Sequence, residues 1–286
     1  MTYGSKLGLL AWLAILASWT LFALCFPFFY NILGEHVAAT AAFPVIVTAS
    51  MGGLRWGFLA GITALIANQL LLLVYGGVAQ TLLLTTLPGA VAGVLTGSVV
   101  GHLHDLRKKL AFYAYHDVLT GLYNRAAFMR HLTRTLERTP KQDGACLLFI
   151  DLDGFKAVND QYGHAVGDAL LKEVAARLRQ NLGQGDVAGR LGGDEFTVLL
   201  TATSLSRALN TTRTLLEVLE APAEVQGKSL RVGASIGVAA YPHHAGDAET
   251  LIKCADNAMY AAKRGGKRGC RVFGDVAVPA PLAQLN

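Results

Sequence analysis

The chain has 286 residues, of which 52% are apolar and only 16% are charged. Its mean hydropathy of +0.39 excludes a wholly water-soluble globular protein of ordinary composition. The formal net charge is +5, but Lys and Arg form no long block and stand among acidic neighbours, so no nucleic acid is expected as a partner.

Charge is unevenly placed. From Leu7 to Val100 the only Asp, Glu, Lys or Arg residues are Glu35 and Arg55, whereas the chain beyond Arg107 is densely charged. Apolar runs cover residues 9–30, 37–54, 56–75 and 82–101, each about the 17–25 residues that cross a hydrocarbon core as helix. Four transmembrane spans are expected, with three as the alternative; in the four-span reading the second and third are joined by a turn at Gly52, Gly53, Leu54 and Arg55. Lys6, Arg55 and the cluster Arg107, Lys108, Lys109 then fall on one side, which the positive-inside rule makes cytoplasmic. The opposite loops, residues 31–36 and 76–80, carry no Lys or Arg. Phe26, Phe28, Phe29 and Tyr30 stand where a cleaved signal peptide needs small residues. The apolar runs contain no pair of ionisable residues for a transporter to use, which leaves an anchor or sensor.

Residues 101–115 place Leu103, Leu106, Leu110 and Tyr113 at helical spacing, predicting a stalk that prolongs the fourth span and pairs two chains. Further on, the pattern predicts a helix over 125–138, a buried strand over 146–151 and an amphipathic helix over 169–181. A hairpin follows, with strands 187–191 and 195–200 turned by Gly192 and Gly193. A helix over 206–219, a strand over 230–240 and a helix over 248–263 complete the set. Helices interleaved with strands, with one hairpin among them, indicate an α/β (α+β) domain whose mixed central sheet is flanked by helices. Pro279 and Pro281 mark residues 274–286 as a flexible tail. Cys25, Cys146, Cys254 and Cys270 lie far apart without C-x-x-C spacing, so free thiols are expected rather than a zinc or redox centre.

Two acidic elements carry the candidate chemistry. Asp151-Leu152-Asp153 ends the buried strand, where ligands bind α/β sheets, and paired carboxylates there call for a cation such as magnesium. The two share a face only if the strand persists; otherwise one serves a metal and the other caps a helix. Arg190-Leu191-Gly192-Gly193-Asp194-Glu195-Phe196 puts two more carboxylates at a tight turn. Should that hairpin neighbour the Asp151 strand, the acids combine into one metal site for phosphoryl transfer.

From about His116 to Phe273 the chain resembles the GGDEF family of diguanylate cyclases. The resemblance rests on five ordered motifs: the run from His116 to Arg125; the run from Asp151 to Asp160; Gly163-His164 with Gly167-Asp168; the signature Gly192 to Phe196; and Ser235 to Ala239 with Ala255-Asp256 and Lys263. It implies that two GTP molecules are joined into cyclic di-GMP with loss of two pyrophosphates. Asp151, Asp194 and the Leu152 carbonyl would bind magnesium or manganese, with Glu195 supporting the site and Asp194 or Glu195 taking the hydroxyl proton. The backbone through Phe155 would cradle phosphates, with Lys156, Lys263 and Lys267 offsetting their charge. Asn159 and Asp168 would read guanine, with His164 as a wall. Because each chain holds one GTP, an active homodimer through the cyclase domains and the stalk is implied. A GTP-binding regulatory module without catalysis is the alternative. The expected layout is a four-span anchor over 1–101, a stalk over 102–115, the cyclase domain over 116–273 and the tail, all tethered to the lipid bilayer of a bacterial inner membrane. One departure stands out. Many members carry an R-x-x-D product-binding site, and here Asp186 is present but Gly183 replaces the arginine, so that site is expected to be absent.

Overall fold

The structure, a computed structural model, describes residues 8–33, 40–76, 82–140 and 143–274. The chain divides into two compact units, Met1–Ala111 and Phe112–Asn286.

The first unit holds helices α1 (Leu9–Leu33), α2 (Ala42–Gly52) and α3 (Leu54–Gly76), and most of α4 (Leu82–Tyr115). Phe22, Phe26, Val45, Ala60 and Ala64 form its buried cluster, and the Trp19 indole N–H donates to the Thr48 hydroxyl at 3.2 Å. Among the described residues two helices are long and apolar enough to cross a membrane, Leu9–Leu33 and Leu54–Leu71. In the expected second span the described helix has 11 residues, about 16 Å at 1.5 Å per residue, and residues 37–39 of that run lie outside the described residues. The joint to α3 is Gly53 alone, since Leu54 and Arg55 are already helical. Residues 34–39 and 77–81, which take in half of the first expected outer loop and most of the second, lie outside the described residues, as does the expected tail from 275. The fourth run and the stalk form one unbroken helix of 34 residues.

Helices α3 and α4 meet backbone to backbone. Gly53, Gly57 and Gly61, one turn apart, face Gly101, Gly97 and Val94 in antiparallel order. A β-carbon on Gly57 would strike the Gly97 carbonyl, and one on Gly97 would strike that of Gly57. Small residues are what allow such an approach between helices. One turn beyond Gly101, the Asp105 carboxylate accepts the Leu54 N–H at 2.9 Å and so caps the start of α3 from the neighbouring helix.

In the second unit the elements are β1 (Tyr123–Asn124), α5 (Arg125–Arg138), β2 (Ala145–Asp153), α6 (Phe155–Tyr162), α7 (His164–Gln180), β3 (Val187–Gly192), β4 (Glu195–Thr201), α8 (Leu205–Glu220), β5 (Ala223–Val225), β6 (Lys228–Leu230), β7 (Gly233–Tyr241), α9 (Ala248–Arg264) and β8 (Gly269–Val272). Six strands form one mixed sheet in the order β1-β3-β4-β2-β7-β8, with β2 antiparallel to both neighbours and parallel pairs at each edge. Alternation along β2 divides the core. Leu148, Ile150 and Leu152 pack with Leu170, Val174 and Leu178 of α7 and Leu215 of α8, while Leu147 and Phe149 pack with Phe128 and Leu132 of α5 and Leu251 and Met259 of α9. This is the expected mixed sheet between helical layers.

Several local expectations change. The strand expected over 230–240 is two pieces: Gln226 and Gly227 take positive φ, closing a β5–β6 hairpin, before β7 begins at Gly233. Helix α6, not expected from the sequence, is too short to show a period: Phe155 is buried, and Val158 and Tyr162 pack partly buried against the same core. Helix α7 starts at His164, five residues before the apolar pattern suggested. All four cysteines are free, and burial pushes the Cys146 thiol up to about 11.

The end of α4 belongs to this second unit. Asn124 accepts the Ala127 N–H through Oδ1 at 2.9 Å, capping α5, while its Nδ2 donates to the Tyr113 and Ala114 carbonyls at 3.3 and 3.1 Å. Phe112, His116, Tyr123 and His131 stack in one column with centroid spacings of 4.7, 5.0 and 5.8 Å.

The glycine seam makes a sharp prediction. Gly97→Ala should destabilise the first unit by about 1–3 kcal/mol through overpacking. Gly93→Ala, at a position with nothing within 4 Å of an added β-carbon, should be neutral or slightly stabilising. Thermal melting of both variants in detergent checks the contrast, and equal behaviour would contradict the seam.

Candidate functional site

Strand β2 stays extended through Asp153, so Asp151 and Asp153 share the face that looks toward α5 and α9. Asp153 caps no helix. Gly154, in the left-handed region at φ 83°, precedes α6, and Asp153 instead accepts the Ser235 hydroxyl at 2.9 Å and the Arg268 N–H at 2.9 Å. Strand β4 lies directly beside β2 with Asp151 opposite Glu195, and the Leu152 N–H donates to the Asp194 carbonyl at 3.3 Å. The condition for joining the two acidic motifs is therefore met. Directly opposed residues of an antiparallel pair hold their β-carbons about 4.5–5.5 Å apart. The turn residues are Gly193 and Asp194 rather than the glycine pair, because Gly192 already pairs with Glu195. Gly193 has φ 53°, a conformation that costs glycine nothing.

These carboxylates crowd one another. Burial pushes the Asp151 carboxyl above its usual range; the Lys263 ammonium, 2.6 Å from Oδ2, opposes this, and the charges of Asp194 and Asp153 add to it. Burial also raises Glu195, followed by the charges of Asp151, Asp256 and Asp194, with Arg125 opposing. Among the described residues no group of three or more His, Cys, Asp or Glu closes on a common point. Magnesium needs only one or two carboxylates beside substrate phosphates, so destabilised oxygen donors of this kind fit a hard divalent cation.

Around the carboxylates, the other predicted residues separate into groups. The Phe155 ring is buried in the core, leaving its backbone for any ligand contact. Gly154 provides no side-chain cap, so the first N–H groups of α6 have no side-chain acceptor there. Asn159 buries its Oδ1 without a partner, pressed against Gly167 at a distance that no β-carbon could share. His164 and Asp168 lie in the first turns of α7, both exposed, as is Lys156. Lys263 is not free: it is the counter-ion of Asp151. Lys267 is exposed on the turn after α9.

Two supporting residues escaped the sequence reading. Arg190 donates to the Gly193 carbonyl from Nε and Nη2 at 3.0 and 2.7 Å, and from Nη1 to Asp117 at 3.0 Å. Burial works against ionisation of Asp117, but the Thr120 hydroxyl and N–H and the Arg190 guanidinium outweigh it and hold the carboxyl below its usual range. Asp117 and Thr120 stand in the first motif and Arg190 heads the signature, but the contact between them, across 73 positions, has no local signal. At the departure, Asp186 accepts the Gly183 and Thr201 N–H groups, both at 3.0 Å. Arg177 is bound to Glu173 and the Val218, Ala221 and Pro222 carbonyls, and Arg179 to the Thr120 carbonyl.

Residues 114–269 match the family described as "Diguanylate cyclase, GGDEF domain". The chain is 40% identical over 185 residues to diguanylate cyclase TpbB of Pseudomonas aeruginosa, covering 64% of this chain and 42% of the relative. It thus spans less than half the length of that relative. Among solved structures, the GGDEF domain of TpbB from strain PAO1 superposes with a TM-score of 0.54 at 40% identity, covering 56% of this chain and 94% of that one. The coiled coil and GGDEF domain of DgcB from Caulobacter crescentus, in complex with c-di-GMP, gives 0.55 at 28% identity, covering 66% and 98%.

Crowding at Glu195 has a measurable sign. Its folded pKa is raised, so in the absence of a cation its ionised form works against folding at any pH above that pKa. Glu195→Gln without metal should therefore raise Tm at pH 7 by about 1–3 °C. The gain should fade as pH falls through the unfolded value of about 4.3 and vanish near about pH 3, where the acid is neutral in both states. Magnesium should raise the Tm of the wild type more than that of the variant. Melting curves across pH, with and without metal, test this; a lowered Tm at pH 7 would mean the repulsion is not there.

Proposed function

This chain belongs to the GGDEF-domain family of diguanylate cyclases, and from that premise we propose that it condenses two GTP molecules into cyclic di-GMP, releasing two pyrophosphates. The observation that carries the reading is the register that sets Asp151 opposite Glu195, because it turns two separate acidic motifs into one site. Magnesium or manganese, held by Asp151, Asp194 and the Leu152 carbonyl, would supply charge stabilisation on the phosphates. The uncapped N–H groups at Phe155 and beyond receive phosphate oxygens at the positive end of α6, with Lys156 and Lys267 offsetting charge, joined by Lys263 where a cation replaces it at Asp151. Asn159 and the exposed Asp168 take the guanine edge; a carboxylate accepts the N1 and N2 protons that adenine lacks. His164 walls the site, and Asp194 or Glu195 accepts the proton of the attacking 3′-hydroxyl.

Each chain holds one GTP, so two catalytic domains face each other in an active homodimer. The stalk supports that pairing, since Leu103, Leu106, Leu110 and Tyr113 are all exposed along one side of α4. The two long apolar helices and the cytoplasmic-side charges Arg55 and Arg107 to Lys109 support a multi-pass anchor in the bacterial inner membrane.

Incubating the purified chain with GTP or ATP plus magnesium, and identifying products by mass, tests the reading. Cyclic di-GMP should form from GTP alone, faster per chain as protein concentration rises, and Asp194→Ala should abolish it while Tm changes little. GTP bound without conversion would leave a regulatory module instead.

Feedback is expected to be weak. Glycine at position 183 cannot grip a phosphate, Asp186 is occupied by backbone N–H groups, and Arg177 and Arg179 are bound elsewhere. Loss of one charge-assisted contact weakens binding by about ten- to a hundredfold. Cyclic di-GMP added at low micromolar concentration should leave the rate nearly unchanged; strong non-competitive inhibition that disappears in Asp186→Ala would show that a working site survives.

A further inference from the structure

We propose that Asp153 is a positioning residue for the phosphate end of the site, setting where Lys267 stands by fixing the turn between α9 and β8. The inference rests on the reading above that Lys267 meets the triphosphate.

That turn is unusual in its backbone. Lys267 and Arg268, both bearing full side chains, take φ values of 64° and 50°, in the left-handed region that disfavours any β-carbon. Consecutive residues of this kind persist only where their surroundings impose them. The preceding residues are held by the helix they leave: the Gly265 N–H donates to the Ala261 and Ala262 carbonyls, and the Lys267 N–H to the Ala262 carbonyl at 3.2 Å. The next N–H, that of Arg268, points away from the helix, and its partner is the Asp153 carboxylate at 2.9 Å, 115 positions earlier in the chain.

Asp153 is itself fixed. Its carboxylate accepts the hydroxyl of Ser235, a fully buried residue on the adjoining strand, at 2.9 and 3.0 Å to the two oxygens. Strand β2 sets the position of Asp153, opposite Gly233 in β7. The Arg268 stem lies where a side chain at position 233 would be, so Gly233 makes room for the turn. From Gly269 the chain runs parallel to β7, paired with Ser235. Ser235, Asp153 and the Arg268 N–H therefore form one chain of contacts. It joins β2 and β7 to the turn, with Lys267 adjacent to the last link. The second carboxylate of the Asp-Leu-Asp motif thus has a task separate from the first: Asp151 faces Lys263 and Glu195, and Asp153 shapes the segment that delivers Lys267.

The test uses the full chain in detergent with magnesium and GTP. Asp153→Ala should raise KM for GTP about tenfold, with kcat within about twofold, as loss of one charge-assisted phosphate contact would. Asp153→Asn keeps an oxygen acceptor for the Arg268 N–H and should recover most of the affinity. In a Lys267→Ala background, Asp153→Ala should add little further change in KM. Amide hydrogen exchange in the peptide containing Arg268 should speed up in Asp153→Ala and not in Lys267→Ala. Unchanged exchange at Arg268, a collapse of kcat at constant KM, or fully additive KM effects would each overturn the proposal. If Lys267→Ala alone leaves KM unchanged, the phosphate reading of Lys267 has failed, and with it the role proposed for Asp153, even where exchange shows that the turn is anchored.

Discussion

The second unit is organised around a repulsion. Asp151 and Glu195 sit opposite each other on one face of an antiparallel pair, in a region buried enough to penalise both charges. An arrangement of this kind relaxes if either strand can slip, yet a slip of one residue would turn every apolar side chain of β2 to the wrong layer. Because β2 is covered on both faces and paired on both edges, the hydrophobic core enforces the register and the carboxylates must tolerate it. What relieves them is positive charge, and Lys263 supplies part of it from the last turn of α9.

The surroundings are stiff where the chemistry needs stiffness. Arg190 ties the Gly193 carbonyl to Asp117, so the signature turn is braced by the segment that follows the stalk helix. Bidentate guanidinium contacts of this geometry constrain direction as well as distance. Elsewhere the packing is tight: the Asn159 Oδ1 is enclosed against Gly167 with no hydrogen-bond partner, an unsatisfied buried acceptor that costs stability.

How much of this was legible in the sequence depends on the range of the interaction. The buried strand, the signature hairpin and helices α5, α8 and α9 follow from apolar periodicity and glycine placement, and their ends agree to within about two residues. Short elements escaped because they offer too few residues to show a period: α6 has eight, with Phe155, Val158 and Tyr162 on the core, and β8 has four. Within the continuous apolar run at residues 37–54 the described helix covers Ala42–Gly52, because hydropathy counts apolar residues and not helical ones. In the site, the carboxylates were readable as motifs, but the separate duties of Asp151 and Asp153 were not. Those duties depend on Lys263, Ser235 and Arg268, whose distance in sequence carries no local signal.

Asn124 has a mechanical consequence. By bonding the last carbonyls of α4 with one end of its amide and the first turn of α5 with the other, it welds a helix terminus to the edge of the sheet, and the column of rings from Phe112 to His131 splints the same joint. A loose linker at this point would dissipate a twist applied to the helix. A joint of this kind passes the torque on, so the rotational phase of α4 at Phe112 is set together with that of β1 and α5. A chain cut at His116 would begin with the socket but without the shaft.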